Sequence, residues 1–321
     1  MRAGVRRGVE QVAGVLAAVI STAAGLGALG GVLSGGEWPW VVLTYLRWPQ
    51  AVGSTLATAV LIGVRWWRSA IASAVVASAL IASVVVPLAA LRTVDRPSGA
   101  TLRIVVFNTG PRNDDIAALA AAIRAADPDV AVLLESEDVA EQVDRRLESL
   151  SLVPAPPSVA GELAPIVLAR RAWPLTVEPL APQLRPVTVL TVDLDGERVD
   201  IVAAHPLPPI TRAWARSHDQ SIAAMTDRVL PRERPYVLAC DCNTTPWTPS
   251  MRRLLGVGLR EPTVAATFAA PVVGVPLDHV LLGPGVVAVS RGLGPFAGSD
   301  HRLIVTEIAL RAPAPQARSG Q

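Results

Sequence analysis

Apolar residues dominate the chain up to about residue 92, and from about residue 101 they alternate with polar ones in short blocks. Val12 to Leu33 carries no charge and is long enough to cross a bilayer, which takes roughly 20 residues. Ser69 to Leu91 is a second uncharged run of similar length. Trp48 to Trp67, interrupted only by Arg65, is a weaker candidate between them. Trp38, Trp40, Trp48, Trp66 and Trp67 fall at the ends of these runs, where amphipathic indoles favour the membrane interface. A cleaved signal peptide is the rival reading of the first run, since Arg2, Arg6 and Arg7 precede it. The run is long for a signal, and two further candidates follow it.

The later blocks carry strand and helix periods in turn, which predicts a layered α/β domain. Leu102 to Phe107 and Val130 to Leu134 are expected strands, and "PIVLARRAW" contains another. Ile116, Leu119, Ala120 and Ile123 follow helical spacing, with Asn113 or Asp114 as the expected N-cap. Val139, Val143 and Leu147 mark a second helix, with Glu137 and Asp138 as charges at its start. Val187 to Leu194 and Arg198 to Ala203 flank Asp195-Gly196, a hairpin signal. Trp214, Ile222, Met225 and Val229 fit one helical face, and Thr248-Pro249 reads as N-cap and first helical residue. Leu303 to Leu310 is the expected closing strand. The resulting division is a membrane anchor of about three helices over 1–92, a linker over 93–100, a layered α/β domain over 101–310 and a disordered tail over 311–321.

Composition sharpens this picture. Hydrophobic residues make up 51% and charged residues 17%, and the mean hydropathy is +0.41, too apolar for an ordinary soluble protein. The formal charge is only +2 and every strongly basic residue is arginine, so no basic nucleic-acid-binding face is expected. No acidic residue lies between Glu37 and Asp95, which argues against a transporter, whose spans usually bury carboxylates. Arg2, Arg6, Arg7, Arg65 and Arg68 share a side if three helices cross, which places the N-terminus inside and the α/β domain outside the cytoplasm. If the middle run does not cross, the domain falls inside. Cys240 and Cys242 are too few for a disulfide scaffold or a four-cysteine zinc site. Two free thiols are expected, because same-face neighbours on an extended strand lie near the limit of bridging distance.

The residues that suggest chemistry sit in or at the ends of apolar runs. Asn108 ends "LRIVVFN", Glu135 ends "PDVAVLLE", and His205 follows "VDIVAA". "YVLACDCN" carries Asp241 and Asn243, whose side chains share a strand face because they are two residues apart. "LDHVLL" carries Asp278, and "GSDHRLIVTEIAL" carries Asp300 and His301 before a strand. A carboxylate beside an imidazole suits acid/base chemistry. His279 and His218 read as structural.

This ordered set resembles the endonuclease/exonuclease/phosphatase superfamily, which includes DNase I-like nucleases, sphingomyelinases and inositol-phosphate phosphatases. The resemblance covers about residues 101 to 310 and departs from the family's Gly-Asp-Phe-Asn pattern at Cys240. It implies a DNase I-like two-sheet α/β sandwich that hydrolyses phosphate esters with Mg²⁺, Mn²⁺ being possible. It implies Glu135 as the principal metal carboxylate with Asn108 beside it, and Asp300 as a further metal-side carboxylate or hydrogen-bond acceptor. His301 is implied as the catalytic histidine, oriented by Asp278, with Asp241 and Asn243 beside it and His205 on the scissile phosphate. The expected substrate is a lipid headgroup or nucleic acid, the expected surroundings are a lipid bilayer, and no protein partner is inferred. An extracytoplasmic nuclease and a catalytically silent scaffold are the alternatives; scarce aromatics and the lack of a basic stripe weigh against the first.

Overall fold

The computed structural model describes residues 2–95, 99–136, 139–154, 164–261, 263–269 and 274–311. The expectations for the tail after Arg311, for part of the 93–100 linker and for Glu137 and Asp138 fall on residues outside that set.

The apolar first part folds into helices α1 (Arg2–Leu33), α2 (Trp40–Tyr45), α3 (Arg47–Gly63) and α4 (Trp67–Ala90). Within α1 and α4, Val5–Leu33 and Trp67–Ala89 are long and apolar enough to cross a membrane. The weaker middle run forms α3, which has 17 residues and spans roughly 25 Å at 1.5 Å per residue. Small residues let these helices approach. A side chain at Gly30 or Gly31 would strike Trp40 or Thr44, so α2 lies directly on the end of α1. At the opposite end Trp66 covers Gly14. Thr58 donates to Ser73, and Ser73 to the Ser54 carbonyl, which ties α3 to α4. The helices therefore alternate in direction. The start of α1 and the turn at 64–66 lie at one end; α2 and the end of α4 lie at the other.

The rest of the chain supplies strands β1 (Thr101–Asn108), β2 (Val130–Leu134), β3 (Ser151–Leu152), β4 (Ile166–Ala169), β5 (Leu175–Glu178) and β6 (Val187–Leu194). β7 (Glu197–Ala204), β8 (Tyr236–Asp241), β9 (Asp278–Leu282), β10 (Val286–Leu293) and β11 (Ile304–Leu310) complete the sheets. One sheet runs β10-β11-β1-β2-β4-β3 and the other β5-β6-β7-β8-β9. Helices α5 (Ile116–Ala126) and α6 (Ala140–Asp144) cover the first sheet, and α7 (Arg212–Ala224) and α8 (Pro249–Gly256) the second.

Strand alternation builds the layers. Leu102, Ile104 and Val106 of β1 face Val192, Ile201, Val237 and Ala239 of the other sheet, forming the central core. Val105 and Phe107 point the other way, onto Leu119 and Ile123 of α5. The result is a two-sheet α/β sandwich. The β6–β7 hairpin turns through Asp195 and Gly196, both at positive φ, as the Asp-Gly pair predicts.

Local expectations differ at several points. Asp115, not Asn113 or Asp114, caps α5 by accepting from the Ala118 amide. Asn113 instead accepts from the Asp115 amide and donates to the Ala297 carbonyl, a loop-to-loop tie that wins over capping. Trp214 does not share the buried face of α7: it is 41% exposed, while Ala215, His218 and Ile222 turn inward. Past Ala224 the helix widens into a π-helical turn, Met225–Val229, which shifts the helical period.

Candidate active site

The sheet topology decides where the polar residues meet. β1 and β2 are parallel, as are β7 and β8, so each pair ends on one edge of its sheet. β9 runs antiparallel to β8 and β11 antiparallel to β1, so their starting ends reach those same edges. Asn108 closes β1, Glu135 follows β2, His205 follows β7, Asp241 closes β8, Asp278 opens β9, and His301 precedes β11. Elements far apart in sequence thus place these side chains at one rim of the sandwich.

Asp241 is the centre. It is 1% exposed, and its Oδ2 accepts from the Asn108 amide at 2.9 Å, a bond that crosses from one sheet to the other. Nε2 of His205 lies 3.6 Å from that oxygen and Nε2 of His301 lies 3.8 Å from it. The Asn243 amide N–H donates to Oδ1 at 3.0 Å. Asn243 sits at positive φ, and its side chain donates to the Pro206 carbonyl at 3.0 Å. Its part in this arrangement is to hold the turn that aims Asp241.

His301 is fixed from several sides. Its Nδ1 is 2.8 Å from Asp278 Oδ2, the Phe268 ring lies 4.9 Å away, and its amide donates to Ser299. Ser299 in turn donates to the Asn108 carbonyl, closing the loop onto β1. Burial alone would push the His301 imidazole down. The Asp278 hydrogen bond and the charges of Asp241, Asp278 and Asp300 outweigh that and carry it up to about 9. His205 goes the other way: burial lowers it to about 4, with Asp241 opposing, so its ring is neutral near pH 7. Arg185 approaches His205 Nδ1 at 2.7 Å. A guanidinium only donates; its shorter approach is to Nδ1, against 3.3 Å to Nε2, which favours the tautomer with Nδ1 accepting and the hydrogen on Nε2, facing Glu135 Oε1 at 3.3 Å and Asp241.

Glu135 has positive φ, in a turn stapled by Thr109, which donates to the Glu135 carbonyl. Burial raises the Glu135 carboxyl, and Asp241 adds to this against a hydrogen bond from Asn108. Asp241 is raised by burial and then by Asp278. Asp278 Oδ1 is buried with no hydrogen-bond partner. Buried carboxylates short of positive partners are what a divalent cation with oxygen preference fits. Among the described residues, ligand atoms of Asp241, Asp278 and His301 also lie within 4.8 Å of one another. His301 and Asp278 bond to each other, and Glu135, the least buried carboxylate of the group, stands on the opposite side of Asp241 with Asn108 beside it. Asp300 stands apart from the buried group: it is exposed, at the edge near Gly110.

The sequence pattern does not mark Arg185 or Phe268 as site residues, and it includes Ser299 in the Ser-Asp-His stretch without giving it a role. Arg185 lies in a proline-rich loop with no period to single it out, and Phe268 belongs to an isolated bridge. His279 and His218 are buried off the rim, bonded to the Thr263 amide with the Thr244 carbonyl, and to the Leu207 carbonyl, respectively.

The expectation of free thiols at Cys240 and Cys242 is corrected: they form a disulfide. Strand β8 ends at Asp241 and the chain bends into the positive-φ turn at Asn243, so the two Cα atoms are 5.0 Å apart, well inside bridging distance. Both sulfurs pack on the outer side of the sheet with Met251 and Leu254, opposite Asp241.

A model of the Endonuclease/Exonuclease/phosphatase family matches residues 106–301. No curated protein matches the chain in sequence. Among solved structures, an endonuclease/exonuclease/phosphatase from Bacteroides vulgatus superposes with a TM-score of 0.54 at 16% identity, covering 66% of this chain and 100% of that one. One from Beutenbergia cavernae gives 0.51 at 20% identity, covering 65% and 72%. TDP2 from D. rerio, complexed with single strand DNA product, gives 0.52 at 14% identity, covering 65% and 99%. These likenesses establish the fold.

Proposed function

The chain belongs to the endonuclease/exonuclease/phosphatase family, hydrolases acting on phosphate esters, and from that premise we propose a membrane-anchored, Mg²⁺-dependent phosphoesterase. It acts outside the cytoplasm on a phosphodiester or phosphomonoester, with a lipid headgroup favoured over nucleic acid. The observation that carries the chemistry is the single rim on which Asn108, Glu135, His205, Asp278 and His301 converge around Asp241.

In this reading Glu135 and Asn108 hold Mg²⁺, or Mn²⁺, with Asp300 the further carboxylate at that edge. Bound there, the ion would polarise a phosphate oxygen and stabilise the leaving group. His205 offers an Nε2 hydrogen to a phosphate oxygen while Arg185 blocks its other nitrogen. His301 holds a proton at Nε2, secured by Asp278 at Nδ1, and presents it to charge developing on the phosphate. Asp241 is the proton acceptor nearest both imidazoles.

Several features support the membrane reading and its orientation. Arg6, Arg7, Arg65 and Arg68 lie at the end of the bundle away from the sandwich, which supports that end inside. The Cys240–Cys242 bond suits an oxidising compartment. The other end of the bundle meets the catalytic rim: Tyr45 donates to the Asn243 carbonyl, and Trp247 to the Thr44 carbonyl. That contact brings the site close to lipid headgroups.

The test uses the full chain in detergent against nitrophenyl phosphodiesters and monoesters, phospholipids and DNA, with and without Mg²⁺. Hydrolysis of an ester only with metal is expected, and Glu135→Gln should weaken Mg²⁺ binding by calorimetry together with activity. Efficient DNA cleavage with phospholipid untouched would replace the lipid preference by the nuclease reading. No hydrolysis with either Mg²⁺ or Mn²⁺ would overturn the enzyme.

A further inference from the structure

A cavity of about 530 Å³ opens between α1, α4 and the loop after β8. On α1 its wall is Gly25, Ala28, Leu29 and Val32, one face of the helix at spacings of three and four. On α4 the facing wall is Val76, Ala79 and Ser83. Small side chains at Gly25, Ala28 and Ala79 leave the depth. The walls are apolar along the helices, but the end toward the sandwich is not. Arg47 and Arg252 line it there beside Trp247. Arg47 is only 5% exposed and its Nε has no hydrogen-bond partner. Arg252 is exposed, and its described hydrogen bond is to the Trp247 carbonyl. Neither arginine is paired with a carboxylate among the described residues.

A guanidinium whose buried Nε has no hydrogen-bond partner, with a second arginine beside it, is costly unless an anion joins them. The arginines stand at the headgroup end of an apolar groove that runs back along the helices. We propose that this groove binds one anionic phospholipid, its acyl chain between α1 and α4 and its phosphate between Arg47 and Arg252. Guanidinium groups match phosphate oxygens by paired hydrogen bonds, and a zwitterionic headgroup would bring a positive charge to the same place. The proposal rests on the membrane reading above but not on the catalytic one. The groove is a separate site from the rim at Asp241. Trp247, whose indole bonds α2 while its side wall lines the groove, is only a few residues from Asn243, so a seated lipid also braces the turn that aims Asp241.

The experiment is native mass spectrometry of the full chain released from nanodiscs of phosphatidylcholine containing phosphatidylglycerol. One phosphatidylglycerol should stay bound and phosphatidylcholine should not. Arg252→Gln, at an exposed position, should lower its retention roughly tenfold, the scale of losing one hydrogen bond to a charged group. Arg47→Gln should lower it further, and Ala79→Trp, which fills the groove, should abolish it with both arginines present. Arg253→Gln, off the groove, should change nothing. A chain that does not enter the disc removes the membrane reading and this proposal with it. A chain that inserts but retains both lipids equally, or is indifferent to Arg252→Gln and Ala79→Trp, overturns the groove alone.

Discussion

His301 and His205 show how neighbours divide one residue type into opposite roles. Burial acts on both, yet Asp278 carries His301 up to about 9, whereas burial prevails over the opposing Asp241 charge at His205 and holds it near 4. His301→Ala should lower turnover by roughly 10²-fold, the scale of a lost acid/base group, with the fold kept. Asp278→Asn should act in the same direction by freeing the ring; normal turnover in both variants would shift the role to His205. The raised value also predicts a pH dependence. A histidine that binds its proton more tightly when folded stabilises fully below its ordinary value of 6.5, and loses that contribution as pH climbs through about 9. Thermal unfolding of the metal-free chain should show this loss across that window, and His301→Ala should flatten it. At this scale the residues at strand ends were legible, because an apolar run that stops on Asn, Glu, Asp or His leaves a polar group at a sheet edge. Arg185 was not, since its approach to His205 depends on a loop path that local sequence does not encode.

The end of β8 concentrates several constraints in a few residues. Cys240 and Cys242 are bonded on the outer face, Asp241 points inward between them, and Asn243 turns the chain at positive φ. Replacing both cysteines with alanine should cost about 1–2 kcal/mol, as expected for closing so small a loop, and should lower turnover by loosening Asp241. Denaturant unfolding and rate measurement on the same variant check this; unchanged values for both would make the bond incidental to the site. The central strands β1, β2, β6 and β7 were legible from their apolar runs and the Asp-Gly turn. The edge strands β5 and β10 were not. Each is covered on one side only, and β10 carries a register shift between Ala288 and Ser290 that breaks its alternation. The disulfide is illegible for a related reason: an extended strand would hold the two cysteines near the bridging limit, but the strand stops between them.

The whole molecule joins a helical bundle to a sandwich through contacts rather than a slack tether. Val94 donates to the Ala288 carbonyl of β10, and the bundle meets the rim through Tyr45 and Trp247. The change from continuous apolar runs to short alternating ones made these parts legible, but not their meeting, because contacts across that separation leave no periodic trace. If the catalytic part lies outside, a reporter active only there should work when fused after Arg311; signal solely from a cytoplasm-restricted reporter would reverse the orientation. The path of the sheet has a further consequence, which concerns time. β1 is flanked by β11, and Ser299 reaches the Asn108 carbonyl across 191 residues. The rim therefore cannot close until the residues around Ser299 and His301 have been made. A ribosome must have translated past His301 before Asn108 and His301 can meet around Asp241. Until then the nascent polypeptide carries the parts of a hydrolase without its activity.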